Sequence, residues 1–448
     1  LSVMFAPFDQ ESAFLICKKL CSELDSGVSK LVRVSKLSAE REGQGVMLGA
    51  VKCTDSDGSE VYAYTVSGSA YVLDRGDSTD MVFVPPIVSP KDIAAALSEN
   101  DAQIHSLTEC INEAKKNGRP YLQMSQQRTL LTSASLKKVN ALYRFHCADK
   151  KIRTLKEICA QYNNGSLAPT GTGDCCAPKL LDYAYSHNLV VQSMCEVFYN
   201  PGLQNANSVP CPPCDSRCAI LLPAMLGLKI IYRDDRIIVV DKQSGLLSIP
   251  GRGEDKQDCI TSRLKRLFPN CIQQPSVHRL DMETSGLMVL AFDAEAHRNL
   301  SRQFQEGTVK KEYVALLDGV LAKKGIPEEG TMTLFFRLDI DNRPHQIWDD
   351  VYGKKAVTSW KILDVERYTA PDGSVRNVTR VLFKPQTGRT HQLRLASADP
   401  HGFGIPIVGD TLYGKCEEGE RLMLHARYLA FDHPTDGRRM EFQLESGF

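Results

Sequence analysis

Neither sign of charge is in excess in this 448-residue chain: 54 Lys and Arg stand against 54 Asp and Glu. No global field draws in an anionic partner, so nucleic acid, if bound, must be held by a local basic patch. Apolar runs of transmembrane length are missing too. The opening LSVMFAPFDQESAF is broken by polar and acidic residues where a secretory leader needs an apolar centre. These absences make a cytoplasmic setting the expectation and argue against a membrane partner. No internal repeat or low-complexity tract is evident.

What is present is ordinary globular material, 42% hydrophobic and 24% charged, long enough for two or three domains. Fifteen cysteines, an odd number, suit free thiols or a metal site better than a disulfide scaffold. Most of them read as small buried hydrophobes.

Four regions are expected. Residues 1–90 are β-rich, because GVMLGAVKC and VYAYTVSGSAYVL alternate apolar and polar across Asp57-Gly58 and read as a β-hairpin over 44–73. Residues 91–162 read as a helical pair, with Ile93, Leu97, Ile104, Leu107 and Ile111 on one face and Leu130, Leu131, Leu136, Val139 and Leu142 on the next. Such stripes are core or coiled-coil seam before they are anything else. Residues 163–228 are loop-rich, hold GTGDCCAP and CPPCDSRC, and read as a joint. Residues 229–448 are mixed, with strands in IIYRDDRIIVVDK, LMVLAF, KKEYVALLDGV and TRVLFK.

Within the last region, VHRLDMETSGL at 277–287 places His278, Arg279 and Asp281 on a loop just before the buried strand LMVLAF. Asp293 is a fair N-cap and Gly307 a stop for the helix that follows. A second polar cluster, TGRTHQLRL at 387–395, supplies Arg389, His391 and Arg394. An arginine beside a buried aspartate keeps it ionised, which suits a nucleophile or base. An Arg-Asp pair that only braces a loop has the same pattern, and the spacing does not separate the two.

HRLDMETSGLMVLA, KKEYVALLDG, GRTHQLRL, PIVGDTLYG and RLMLHARYLAFDHP, in this order, closely resemble the RluA-type pseudouridine synthases from about Ile230 to the C-terminus. The entering strands IIYRDDRIIVVDKQSGLLSIPG and the stretch RPHQIWDDVYGKKAVTSW fit that family as well. Lys242-Gln243, in place of lysine-proline, and Ala396, in place of histidine, depart from it.

The resemblance implies an isomerase that detaches uracil from ribose and rejoins it through carbon, within 23S rRNA, tRNA or both, with no cofactor. It puts Asp281 at the catalytic aspartate, Tyr313 at the tyrosine that stacks on the uracil, and Arg394 at the basic residue that pairs with the aspartate. A uridine within folded RNA must be flipped out to be reached. Arg279 stands where the family's arginine fills the gap. His278, Leu393 and His391 are further RNA-contact candidates. So is the basic run Arg263, Lys265 and Arg266, although a solvated helix face explains that run equally well.

The fold implied is α+β: a pseudouridine synthase domain with a mixed, largely antiparallel sheet and a central cleft, preceded by the hairpin and helical extension. The front half resembles the long N-terminal extension of a larger RluA-type subgroup. Cys175, Cys211, Cys214 and Cys218 form a candidate structural zinc set, with free thiols as the other reading. A monomer is expected. Two rival functions are an RNA-binding protein of the same fold that is catalytically silent, and a glycosidase with Asp281 as nucleophile and Glu283 as acid.

Overall fold

The computed structural model describes residues 8–35, 45–200, 208–214, 216–253 and 256–448. The first seven residues, read above as part of the opening segment, lie outside these, as do residues 201–207 of the expected joint. Two compact units divide the chain after Lys229. Among the described residues no helix is long and apolar enough to cross a membrane.

In the first unit four strands line up as Val82–Phe83, Glu60–Val66, Val46–Thr54 and Val190–Tyr199. The hairpin forms across Asp57-Gly58, with Leu48 opposite Val66 and Thr54 opposite Glu60. The Asp55 carboxylate closes the turn by accepting from the Asp57 and Ser59 amides. Tyr71–Asp74 was expected to continue the hairpin but pairs with Lys30–Arg33 instead, after a break at Gly68 with φ of 78°. Helix Glu11–Asp25, which the sequence reading did not place, turns Ala13, Ile16, Cys17, Leu20 and Cys21 into the sheet at helical spacing.

Residues 163–228 are no mere joint. Val190–Tyr199 is paired along its length with Val46–Thr54, and helices Cys176–Ser186 and Cys218–Leu226 are largely buried. Flanking turn residues hid a strand rich in Val, Met, Cys, Phe and Tyr. The helical pair is Pro90–Lys116, capped by Ser89, and Leu122–Leu142. Its apolar stripe is shallower than a core seam: Ile93 and Ile111 are buried, Leu130 is exposed, and Leu97, Ile104, Leu136 and Val139 line a cavity of about 500 Å³. Nine of the fifteen cysteines are buried and none forms a disulfide.

The second unit is built on a ten-stranded sheet. Its path runs Gln346–Trp348, Glu329–Leu338, Lys354–Thr369, Val375–Pro385, Lys310–Leu317, Leu424–Asp432, Ser285–Ala291, Ile237–Lys242 and Lys229–Arg233, with Arg439–Gln443 branching from Leu424–Asp432. The α+β reading holds, and the sheet is mixed but largely antiparallel: its parallel contact sets Ser285 and Gly286 beside His425 and Ala426. All seven residues of Ser285–Ala291 are buried, which is why the sequence runs apolar there without alternating. Helix Ala294–Glu306 follows, with Asp293 accepting from the Glu295 and Ala296 amides and Gly307 ending it at φ of 74°.

The parallel contact depends on a glycine. Gly286 has φ of 116°, and a Cβ there would lie 2.4 Å from the Ala426 carbonyl oxygen. Gly286→Ala is therefore expected to destabilise the fold by about 3 kcal/mol through strain and a forced separation of the two strands. Urea denaturation checks this, and a loss below about 1 kcal/mol would show that the strands part easily.

Candidate active site

Three segments of the second unit converge on one cavity of about 700 Å³. Residues 277–284 bring Asp281, strand Lys310–Leu317 brings Tyr313, and the turn into helix Gln392–Ala398 brings His391, Leu393 and Arg394. Arg279 and His278 also line it, so seven of the expected residues border the one cavity.

The loop that carries Asp281 is pinned from behind. Ser248 Oγ donates to the Leu280 carbonyl at 2.7 Å and accepts from its amide at 3.0 Å, and Ser244 Oγ donates to the Glu283 carbonyl at 2.6 Å. Lys242 is fully buried. Its ammonium donates to the Gln243, Leu246 and Met282 carbonyls at 3.0, 2.6 and 2.8 Å. Burial pushes Lys242 down to about 7, against the opposing pull of Asp281 and Asp241. These residues hold Asp281 without touching its carboxylate. The sequence reading noted Lys242 only as a place where the family pattern changes; a lysine closing the apolar strand IIVV was the available signal.

Arg394 behaves differently from the expectation. Its guanidinium, 2% exposed, forks onto Asp410 with Nε to Oδ2 at 2.9 Å and Nη2 to Oδ1 at 2.5 Å, and reaches Glu283 Oε2 at 2.8 Å. Among the described residues the side chain nearest Asp281 with a basic atom is His391, Nε2 to Oδ1 at 3.9 Å. The reason is burial: the Asp410 side chain is 0% exposed and needs a charged partner, whereas Asp281 is 21% exposed and keeps water. Burial works against the Arg394 charge, but Asp410, Glu283 and Asp281 outweigh it and raise its pKa. Asp281 thus feels the cation at longer range. Asp410 also accepts from the Leu412 and Tyr413 amides, at 2.9 and 3.0 Å. It lies in PIVGDTLYG, and nothing local in that motif marks it as the partner of Arg394.

Tyr313 faces the same cavity, its hydroxyl pushed well above the ordinary range by burial and then by the Asp281 charge. It stays protonated. His391 sits at φ of 53°, and its Nδ1 lies 2.8 Å from the Tyr413 hydroxyl, which already accepts from the Gln346 amide. With the tyrosine proton given to Nδ1, the ring proton of a neutral imidazole would stand on Nε2, toward Asp281. Burial lowers the His391 pKa more than Asp281 raises it, so the ring is neutral.

His278 is chiefly structural. Its Nε2 accepts from the Val289 amide at 3.1 Å and its ring stacks on Phe304 at 4.5 Å. Burial, with Lys311 nearby, pushes the imidazole down to about 3. The unfolded chain binds a proton near pH 6.5 and the folded one does not. This contribution to stability is therefore complete above pH 6.5 and is lost as the pH falls toward 3. Between those values the slope from this group is at most about 1.4 kcal/mol per pH unit. His278→Asn is expected to flatten the slope of urea midpoints measured from pH 4 to 7, and an unchanged slope would mean that the ring protonates in the fold.

Arg279 is exposed and has no hydrogen-bond or ion-pair partner among the described residues, so its planar cation is available. Arg263, Lys265 and Arg266 lie apart from the cavity, on helix Ile260–Leu267. Arg263 is occupied by Asp258 at 2.8 and 2.6 Å, and Lys265 donates to Gln273 at 3.0 Å. Only Arg266 of the three is exposed. Lys311, which the sequence reading passed over, lines the cavity with its pKa lowered by burial. Glu283 accepts from Arg394 and from Thr411 Oγ1 at 2.6 Å, an arrangement for a fixed acceptor and a poor one for a glycosidase acid.

A family model described as RNA pseudouridylate synthase matches residues 236–399. The dual-specificity RNA pseudouridine synthase RluA of Escherichia coli K12 is 42% identical over 224 residues, which are 49% of this chain and 94% of that protein. Its counterpart from Yersinia pestis is 40% identical over 222 residues, 49% of this chain and 99% of that protein. The chain belongs to the RluA-type RNA pseudouridine synthases. Among solved structures, human RNA Pseudouridylate Synthase Domain Containing 1 is 30% identical, covering 49% of this chain and 83% of its own, with a TM-score of 0.39. Membership makes the chain an isomerase, and the range matched by the family model spans the positions of Asp281, Tyr313 and Arg394.

In the first unit, Cys175, Cys214 and Cys218 come together, their sulfurs within 4.8 Å of one another. Cys211, the fourth of the expected set, is not in this group: its Sγ turns to the Val209 carbonyl at 3.6 Å while its amide donates to Glu196. An edge contact at Pro210 against Val197 carries it away.

Proposed function

We propose that Asp281 performs the isomerisation and that the RNAs modified are 23S rRNA, tRNA or both; more than one kind of RNA substrate is in keeping with relatives named dual-specificity. The observation that carries this reading is one cavity shared by a part-exposed carboxylate, a protonated tyrosine and an unpaired arginine. Its size, about 700 Å³, suits a single nucleotide and lies within the range of about 300–1,000 Å³ usual for ligand pockets.

The target uridine is flipped out of its stack at a cost of a few kcal/mol. Arg279 offsets part of that cost by entering the vacated position, where its guanidinium stacks on bases or meets phosphate. Uracil lies against Tyr313, and Leu393 supports the pocket wall. Asp281 acts on the ribose or the ring; the C1′–N1 bond breaks, C1′ joins C5, and the C5 proton leaves while N1 takes one up. His391 and Lys311 supply polar contacts at the rim. Arg394 keeps the electrostatic setting of Asp281 through the Asp410 and Glu283 cluster.

The test is to incubate wild-type protein and Asp281→Ala with unmodified 23S rRNA and tRNA and to map pseudouridine by carbodiimide-primer extension. A site made only by wild type supports the reading and identifies the RNA. Bound RNA with no new site would overturn it in favour of a catalytically silent binder.

A further inference from the structure

The cluster in the first unit is the chemistry that the RNA reaction does not use. Cys175 caps helix Cys176–Ser186, Cys218 opens helix Cys218–Leu226, and Cys214 precedes the latter by one turn. Two helix N-termini therefore meet at three sulfurs, and a helix N-terminus favours the thiolate over the thiol. The Cys218 amide donates to Cys214 Sγ at 3.4 Å, so that sulfur is already an acceptor. From this arrangement we infer that Cys175, Cys214 and Cys218 bind one soft divalent metal of the zinc class, with three thiolate ligands and a fourth position left to solvent.

The geometry supports a metal over a disulfide. All three sulfurs lie within 4.8 Å of one another, and a disulfide would join two and strand the third. Thiolates in a set of three select zinc over the harder divalent ions. Access is open: Cys218 is buried and Cys175 partly so, but Cys214 is exposed. Cys175 also lines the 500 Å³ cavity beside Asp174, Tyr143 and Arg217. The surroundings are built, since Tyr143 donates to Asp174 at 2.7 Å and the Glu196 carboxylate, buried behind the cluster, is held by the Ala177 amide at 2.6 Å. A metal there would tie two helices and the segment between them into one unit, and the proposal stands whether or not the RNA reading does.

The full chain, purified under reducing and anaerobic conditions and given Zn²⁺, is expected to retain about one zinc per molecule by elemental mass spectrometry. Cys175→Ser, Cys214→Ser and Cys218→Ser should each fall below about a tenth of that, and Cys211→Ser should match wild type. Replacement by Co²⁺ should give a sulfur-to-cobalt charge-transfer band, absent in Cys214→Ser, where exposure of the side chain leaves packing undisturbed. No bound zinc and no cobalt band in folded wild type, a disulfide within the cluster under the same conditions, or zinc kept by Cys214→Ser would each overturn the assignment.

Discussion

Asp281→Asn should lose pseudouridine formation by about 10⁴-fold or more while folding and binding RNA as wild type does. The substitution preserves shape and removes only the charge. The loop does not need that charge to stand where it does, because Lys242, Ser244 and Ser248 hold its backbone at Leu280, Met282 and Glu283. Nor does it strand a buried cation, since the neighbouring His391 is neutral and Arg394 is neutralised by Asp410 and Glu283. Tritium release from RNA carrying 5-tritiated uridine measures the loss, and a thermal melt and an RNA-binding curve measure what is kept. A variant within tenfold of wild type would remove Asp281 from the chemistry; one that fails to melt cooperatively would show that the carboxylate braces the loop.

Arg394→Met is expected to act first on stability, with a loss of about 3–5 kcal/mol, because it leaves the fully buried Asp410 carboxylate facing no cation. Glu283, partly exposed, recovers water and adds less. The double variant Arg394→Met, Asp410→Leu removes both charges from the interior and should recover a large part of the loss, which urea midpoints will show. If the double variant is as unstable as the sum of the singles, the pair contributes through other contacts, such as the amides of Leu412 and Tyr413 that Asp410 caps. Activity gives the second readout: the stable double variant keeps the loop but lacks the cation whose field reaches Asp281.

The second unit was legible because its elements announce themselves locally. The apolar run 287–292 between a glycine turn and an N-capping aspartate can only be a buried strand and then a helix, and the polar residues flanking it had to lie at that strand's edge. Order and spacing of HRLDMETSGL and GRTHQLRL then named the family. The first unit was harder. Its longest strand, Val190–Tyr199, sits among Gly, Pro, Asn and Cys residues that suggest a loop, and its pairing partner lies more than a hundred residues earlier. Helix Glu11–Asp25 shows its apolar face only once the sheet that covers it is in place.

By itself the sequence determined which side chains to look for: Asp281, Tyr313 and Arg279 carry their identity in local motifs, and all three line one cavity. Only the tertiary structure decided who pairs with whom. Arg394 could have met Asp281, Glu283 or Asp410. Desolvation chose Asp410, since a carboxylate cut off from water needs a cation more than one that keeps it. Folding likewise set Arg263 against Asp258, put Lys242 behind the loop of Asp281, and left Cys211 outside the thiol cluster. Residue type and spacing are properties of the chain, whereas burial, and the partners it compels, exist only after folding.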